Sequence, residues 1–387
     1  MSVHRTLPQP DDLSNLAQQR DHAITIYVPT SPVVAQREAS QIAAKSAFDR
    51  AFDSVKAGGA PRAVLAALDD EWDRIADDEP LWGHLSAALA CFLAPGFSEV
   101  YVLPTALESQ LQVADYFDIG QLLRALTLRH DAHAVLLSAN EWSLWHVGST
   151  DRAARIDVSA EHPRNLAESM SRDPLLQHER KAQRLGDPDL TQELELYVKR
   201  VSDAVTGKLT ERDPDGGTAI FVFAAEPLVS AFTARGVPGH RLVSVHGAPD
   251  RLGPADVDAV VRAGLADWAI RDAQGRVDAI ADESGAGLAV SELADIALGA
   301  VAGAVDTLVF AYPDGVNGRF DESTGRIEPA AAGEATMRDG RPAYDVLSRI
   351  AVTVMQRGGT VIAVRPDEVS SPLWNGVALA GLRYTLA

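Results

Sequence analysis

The sequence predicts an α/β protein of three domains, each with a mixed or parallel sheet and flanking helices. Two observations predict this fold class. Strand-like apolar runs alternate with amphipathic helices along the chain, and 387 residues are too many for one hydrophobic core. We place the domains at residues 1–129, 130–255 and 256–387.

The first domain is expected to begin with a strand at residues 24–28, where β-branched residues alternate before Pro29. An apolar stripe that includes Ile42, Phe48 and Val55 predicts a long helix over residues 34–56. The remaining elements are predicted in this order: helices at 61–75 and 80–93, strands at 99–103 and 110–113, and a helix at 118–126.

The second domain shows the clearest local signals. Strand-like runs at 134–138 and 141–147 are two residues apart, which is hairpin spacing. Residues 189–209 form a strongly amphipathic pattern that predicts a helix. The continuous apolar run 219–224 predicts a buried strand. A helix at 227–235 and a strand at 242–245 complete the alternation.

The third domain is predicted from helical spacing in two segments, each followed by a strand. The predicted elements are helices at 256–271, 291–304 and 344–357, strands at 306–311 and 360–364, and an end strand at 381–386. A polar stretch at 272–287 and a Gly-rich excursion after residue 311 are predicted as loops.

The net charge and the cysteine content limit the possible partners and the cellular location of the protein. The net charge of −19 argues against DNA and anionic membranes as partners, because affinity for both depends on Lys and Arg. Cys91 is the only cysteine and is expected to be buried, so no intramolecular disulfide can form. The sequence contains no membrane span and no signal-peptide core, so we expect a cytoplasmic protein.

The order of elements from residue 291 onward resembles the C-terminal domain of archaeal and eukaryotic class-one release factors and their relative Pelota. Residues 219–224, 242–246 and 253–257 also match positions where that family has strand, strand and helix start. Most of the chain resembles the bacterial proteins similar to those factors, and the resemblance is weakest in the first domain. The resemblance implies a C-terminal domain like ribosomal proteins that bind kink-turn RNA, and a protein partner for that domain.

The family's catalytic loop precedes the long helix of its middle domain and carries Gly-Gly-Gln, whose glutamine hydrolyses peptidyl-tRNA. The corresponding residues here are 171–189, and Gly-Gly-Gln occurs nowhere in the chain. Gly186 stands alone before Asp187 and Pro188, and proline restricts the backbone where a glycine pair would free it. The codon-reading motif Asn-Ile-Lys-Ser is also absent. The resemblance therefore implies neither hydrolysis nor stop-codon reading.

The same segment contains a basic cluster. Arg180, Lys181 and Arg184, with Gln183 and Gly186 beside them, are our candidates for contact with RNA phosphates. The alternative is a solvated loop, because nearby Asp and Glu side chains offset the positive charge.

Other motifs give no catalytic residue, cofactor site or metal site. The glycines at 285–287 lack the third glycine of a dinucleotide fingerprint. His130 with His133, and His240 with His246, form pairs without further ligands, so surface or hydrogen-bonded histidines are the better interpretation.

We therefore predict a translation-associated protein that binds the ribosome, tRNA or a translation partner without peptidyl-tRNA hydrolysis, and that needs no cofactor. Two alternatives stay open. One is a peptidyl-tRNA hydrolase or a nuclease that uses a non-standard middle-domain loop. The other is a protein-binding adaptor without RNA contact, which the acidic composition favours.

Overall fold

The computed structural model describes residues 1–128, 130–148, 153–158, 162–171, 189–214, 216–313, 315–331, 334–338 and 340–386. The chain divides into two compact units. The terminal unit contains the N-terminal segment, Met1–Arg129, and the C-terminal segment, Asp267–Ala387; the middle unit is His130–Ala266. The three-domain division stays a prediction. The structure shows that the two terminal segments share one compact unit.

The N-terminal segment contains a five-stranded sheet in the order β1-β4-β3-β2-β5. β1 and β4 pair in parallel, and the other neighbours are antiparallel. The strands are β1 (Ser2–His4), β2 (Ala23–Pro29), β3 (Ala88–Ala94), β4 (Phe97–Leu103) and β5 (Gln110–Ala114). The helices are α1 (Pro10–Leu16), α2 (Arg37–Ala57), α3 (Arg62–Ala76), α4 (Glu79–Gly83) and α5 (Gly120–Thr127).

The middle unit contains a mixed sheet in the order β10-β9-β6-β7-β8. β6, β9 and β10 are parallel, while β7 pairs antiparallel with β6 and β8. The strands are β6 (Ala132–Leu137), β7 (Trp142–Val147), β8 (Ala154–Ile156), β9 (Ala219–Ala224) and β10 (Leu242–His246). The helices are α6 (Leu166–Ser171), α7 (Asp189–Arg212), α8 (Leu228–Arg235) and the first part of α9 (Pro254–Asp282).

The core of the middle unit lies under α7 and α8. Tyr197, Val201 and Val205 of α7 share one apolar cluster with Val135 of β6 and Val222 of β9. Their four-residue spacing places them on one helix face, as the amphipathic pattern predicts. On α9, a Cβ at Gly264 would lie 2.2 Å from the Phe221 ring, so α9 packs against β9 at close range.

The C-terminal segment contains a four-stranded sheet in the order β11-β17-β12-β16 and a three-stranded antiparallel sheet in the order β14-β13-β15. The strands are β11 (Ala289–Val290), β12 (Val305–Ala311), β13 (Asn317–Phe320), β14 (Ile327–Pro329), β15 (Tyr344–Asp345), β16 (Thr360–Val364) and β17 (Ala378–Leu382). The helices are α10 (Leu293–Ala302) and α11 (Val346–Gln356). Asp345 caps α11 by accepting from the backbone N–H groups of Leu347 and Ser348.

The two terminal segments share one apolar cluster. Phe92 and Leu122 of the N-terminal segment and Ile350 and Phe310 of the C-terminal segment are fully buried members of it. The opposite face of the N-terminal sheet packs against α2, α3 and α4 in a separate cluster. Each face of that sheet is therefore covered, which explains why β3 is buried along its whole length.

The predicted helix at residues 80–93 is wrong. The structure has a short helix, α4, followed by the strand β3. A continuous apolar run buried on both faces carries no alternation, so periodicity alone cannot distinguish a central strand from a buried helix. Cys91 lies in β3 and is fully buried, as expected, and burial raises the pKa of its thiol to about 12.

Two further corrections concern helices. α9 continues to Asp282, through residues predicted as loop, because Ala273, Val277 and Ile280 pack against the C-terminal sheet. On α2, Ile42 is 62 % exposed, although we placed it on the buried stripe. The buried face of α2 instead includes three alanines around Phe48 and Val55.

The mixed α/β, multi-sheet fold class is confirmed, whereas the comparison of the C-terminal segment with kink-turn-binding proteins stays a prediction. None of the helices in the described part of the chain is long and apolar enough to span a membrane.

Candidate functional site

The predicted RNA-contact residues, Arg180, Lys181, Gln183, Arg184 and Gly186, lie outside the described residues. The structure describes the helices on either side of them, α6 and α7. The proposed RNA contact of this segment therefore stays a prediction.

A cavity of about 610 Å³ lies in the middle unit, beside β7 and β8. This volume falls in the range of small-molecule sites, roughly 300–1,000 Å³. Its apolar lining comes from Trp142, Leu144 and Ile156, which are buried. The polar lining is made of side chains from the β6–β7 turn, from β7, from β8 and the residue after it, and from the segment before α6: Asn140, Glu141, Ser143, Arg155, Asp157, His162, Arg164 and Asn165.

Hydrogen bonds fix the walls of this cavity. Trp142 donates from Nε1 to the carbonyl oxygen of Pro163 at 2.6 Å, and from its backbone N–H to the carbonyl of Arg164 at 3.2 Å. At the β6–β7 turn, the Ser138 hydroxyl donates to Asp250 at 2.6 Å and accepts from the backbone of Asn140. These bonds hold the turn and the segment before α6 in place.

The charges around the cavity are mixed. Arg155 pairs with Glu141 at 2.5 Å, and both side chains are more than half exposed, so the pair contributes little stability. Ser143 carries the one hydroxyl among the described lining side chains, and it accepts a hydrogen bond from Trp145 Nε1 at 2.8 Å. This arrangement is suited to binding a small polar group, because the hydroxyl that accepts from Trp145 retains its own proton to donate.

Three histidines lie close together in the same unit, but they are not the pairs that the sequence indicated. His133 and His146 face each other across β6 and β7, with ring centroids 5.4 Å apart, and His240 lies 3.7 Å from Asp213. Burial, and then the neighbouring His146, lower the pKa of His133 to about 4. Among the described residues no three His, Cys, Asp or Glu side chains could hold a metal ion.

Sequence reasoning missed a pair of buried carboxyl groups in the terminal unit. Asp118 precedes α5 and Asp345 precedes α11, and the hydroxyl of Ser348 lies between their oxygens. No sequence signal indicated it, because the predicted helix at 344–357 included Asp345, which in the structure is the N-cap of α11. Nothing local indicates a partner more than 200 residues away.

Comparisons with known proteins give remote structural similarity only. No family model and no curated protein matches the chain. Pelota from Archaeoglobus fulgidus is 14% identical, with 77% of this chain and 79% of that chain covered and a TM-score of 0.36. Dom34 from S. cerevisiae is 11% identical over 76% and 74% of the two chains, with a TM-score of 0.34. The archaeal termination factor aRF1 is 14% identical over 97% and 96%, with a TM-score of 0.23. These values are too low to carry a conclusion about this chain.

Proposed function

We propose that this protein is a release-factor-like factor of bacterial type that binds the ribosome, directly or with tRNA or a translation partner, and does not hydrolyse peptidyl-tRNA. The observation that supports this most is the element order of the C-terminal segment. α10, β12, the excursion with β13 to β15, α11, β16 and β17 follow the order on which the resemblance to class-one release factors is based.

The absence of hydrolysis follows from the sequence of the segment before α7. Hydrolysis in the release-factor family depends on Gly-Gly-Gln, and this chain has Gly186 followed by Asp187 and Pro188. Pro188 fixes its own φ and restricts Asp187, so the local backbone lacks the freedom of a glycine pair.

The distribution of charge supports the middle unit as the RNA-contacting part. Asp and Glu outnumber Lys and Arg by 14 in the terminal unit but by only five in the middle unit, which together account for the net charge of −19. The basic cluster Arg180, Lys181 and Arg184 belongs to the less acidic unit. Phosphate contacts depend on Lys and Arg side chains, and this cluster supplies three of them.

Co-sedimentation with ribosomes at low salt tests the proposal. We expect the wild-type protein to pellet with vacant or stalled ribosomes. Changing Arg180, Lys181 and Arg184 to glutamate is expected to weaken binding strongly and to reduce the slope of log affinity against log salt by about 2–3, since each lost phosphate contact removes roughly 0.7–0.9.

The matched control changes three exposed basic residues of the N-terminal segment, Arg50, Lys56 and Arg62, to glutamate. This variant carries the same added charge and is expected to pellet like the wild type. Wild-type protein that stays wholly in the supernatant with both vacant and stalled ribosomes would refute ribosome binding.

The acidic terminal unit favours one second candidate, a protein-binding adaptor without RNA contact. That function predicts recovery of one stoichiometric protein partner in a pull-down that survives ribonuclease treatment. Loss of all partners after ribonuclease would exclude it.

A further inference from the structure

The carboxyl groups of Asp118 and Asp345 meet inside the terminal unit, and each comes from a different terminal segment. Both residues are buried, at 5% and 7% exposed. The packing around them is close: a Cβ at Gly315 would lie 2.1 Å from Oδ1 of Asp345. This contact is therefore part of the interface through which the C-terminal segment docks on the N-terminal segment.

The contacts of the Ser348 hydroxyl favour a proton on one of the two carboxyl groups. Its oxygen lies 3.2 Å from Oδ1 of Asp118 and also contacts Oδ2 of Asp345 at hydrogen-bond range. A hydroxyl has one proton to donate, and a carboxylate can only accept. With both groups ionised, that one proton has to be shared between two carboxylates, whereas a protonated carboxyl group would donate to Oγ and give each contact its own proton.

Neutral donors surround the rest of Asp118. Its Oδ1 accepts from the backbone N–H of Gly120 at 2.9 Å, and its Oδ2 accepts from Nε2 of Gln110 at 2.6 Å. The backbone N–H of Asp118 donates to Oγ1 of Thr25, and its carbonyl accepts from the hydroxyl of Tyr27. Tyr27 is the ionisable group of β2 at this contact, and burial raises its pKa well above the ordinary value.

Asp345 has only neutral donors as well. Its Oδ1 accepts from the backbone N–H groups of Val316 and Leu347, and its Oδ2 from that of Ser348. The backbone N–H of Asp345 donates to Gln112 of β5. No cationic side chain contacts either carboxyl group in the described part of the chain, so two negative charges here would be uncompensated.

Burial, and then the nearby charge of Asp345, raise the pKa of Asp118 to about 7. Burial raises the pKa of Asp345 too, against the hydrogen bonds from Ser348 and the backbone that lower it. The two groups therefore titrate as a pair that keeps one proton over part of the pH range in which separated carboxyl groups are ionised.

We propose that docking of the C-terminal segment on the N-terminal segment is coupled to the uptake of one proton by the pair Asp118 and Asp345, which makes this contact a pH-sensitive clamp. Undocked carboxyl groups lose their protons near pH 4, whereas the docked pair retains one. The contribution of the shared proton to docking is thus largest below pH 4. It decreases as the pH rises towards 7 and is lost above that pH.

Hydrogen–deuterium exchange of the full chain between pH 5 and pH 8 measures this coupling. After correction for the intrinsic exchange rate, protection of peptides from α5 and α11 is expected to fall by up to tenfold per pH unit between pH 5 and 7. Asp118→Asn, which keeps a neutral group at this position, is expected to reduce that slope strongly, because only the buried Asp345 then has a raised carboxyl pKa. The matched control, Asp49→Asn, changes an exposed carboxyl group of the same unit and is expected to keep it.

A slope that persists unchanged in Asp118→Asn, or a wild-type protein without a slope, overturns the proposal. If Asp118→Asn does not fold, infrared spectroscopy of the wild type decides the question. We expect a protonated carboxyl band at pH 6 that disappears by pH 9. Absence of that band at pH 6 refutes the shared proton.

Discussion

Replacing Arg124 with methionine is expected to destabilise the terminal unit by about 2–4 kcal/mol. Arg124 of α5 donates to the carbonyl oxygen of Ala363 at 2.8 Å and to Oε1 of Glu368 at 2.7 Å. The side chains of Arg124 and Glu368 are only 4% and 9% exposed. The substitution removes the donor to the Ala363 carbonyl and the nearer of two cations beside the buried Glu368 carboxylate, which keeps Arg365 at 3.5 Å. Urea unfolding, followed by hydrogen exchange of α5 and β16, measures the loss.

Two further variants test whether the loss comes from breaking the buried ion pair between Arg124 and Glu368. Lys45→Met breaks an ion pair whose side chains are both more than half exposed, and is expected to cost less than about 0.5 kcal/mol. The double variant Arg124→Met with Glu368→Leu is expected to recover much of the stability, because replacing both members of a buried pair by apolar groups is often neutral. A loss below about 1 kcal/mol for Arg124→Met would contradict this role.

Phe48→Ala is expected to destabilise the terminal unit by a similar amount, about 3–5 kcal/mol. Phe48 of α2 is 1% exposed and stacks on Trp72 of α3, with ring centroids 4.7 Å apart. Removing the ring opens a cavity between the two helices and the sheet and leaves Trp72 without its stacking partner. Denaturant unfolding with hydrogen exchange of β3 peptides measures the change in unfolding free energy.

Ile42→Ala on the same helix is the matched control. Ile42 is 62% exposed, so truncating it is expected to change the unfolding free energy by no more than about 0.5 kcal/mol. Equal losses for Phe48→Ala and Ile42→Ala would mean that α2 packs through a different face from the one the structure shows.

The sequence predicted helices and strands correctly where the hydrophobic pattern agreed with the residues that typically begin or end such elements. The amphipathic pattern before residue 209 corresponds to α7, and the apolar run at 219–224 corresponds to β9 with the same bounds. α2 shows the limit of this approach. Half of its six buried residues are alanines, whose weak hydrophobic signal let the larger Ile42 appear as part of the stripe.

Long-range contacts explain what the sequence could not predict. The strand β3 is buried by helices on one face and by the shared core of the terminal unit on the other, so its apolar run lacked a strand period. The pairing of Asp118 with Asp345 depends on docking of two segments far apart in the chain. The cavity beside β7 likewise combines residues from three separate segments of the middle unit.

Sedimentation of ribosomes that carry labelled peptidyl-tRNA, with the protein added, tests the proposed function most directly. Ribosome binding and the lack of hydrolysis are read in one experiment, from the protein and the label in the pellet. We predict that the protein pellets with the ribosomes and that the labelled peptide stays attached to tRNA in the same pellet. Protein left in the supernatant, or labelled peptide released from ribosomes that have bound the protein, would contradict the proposal.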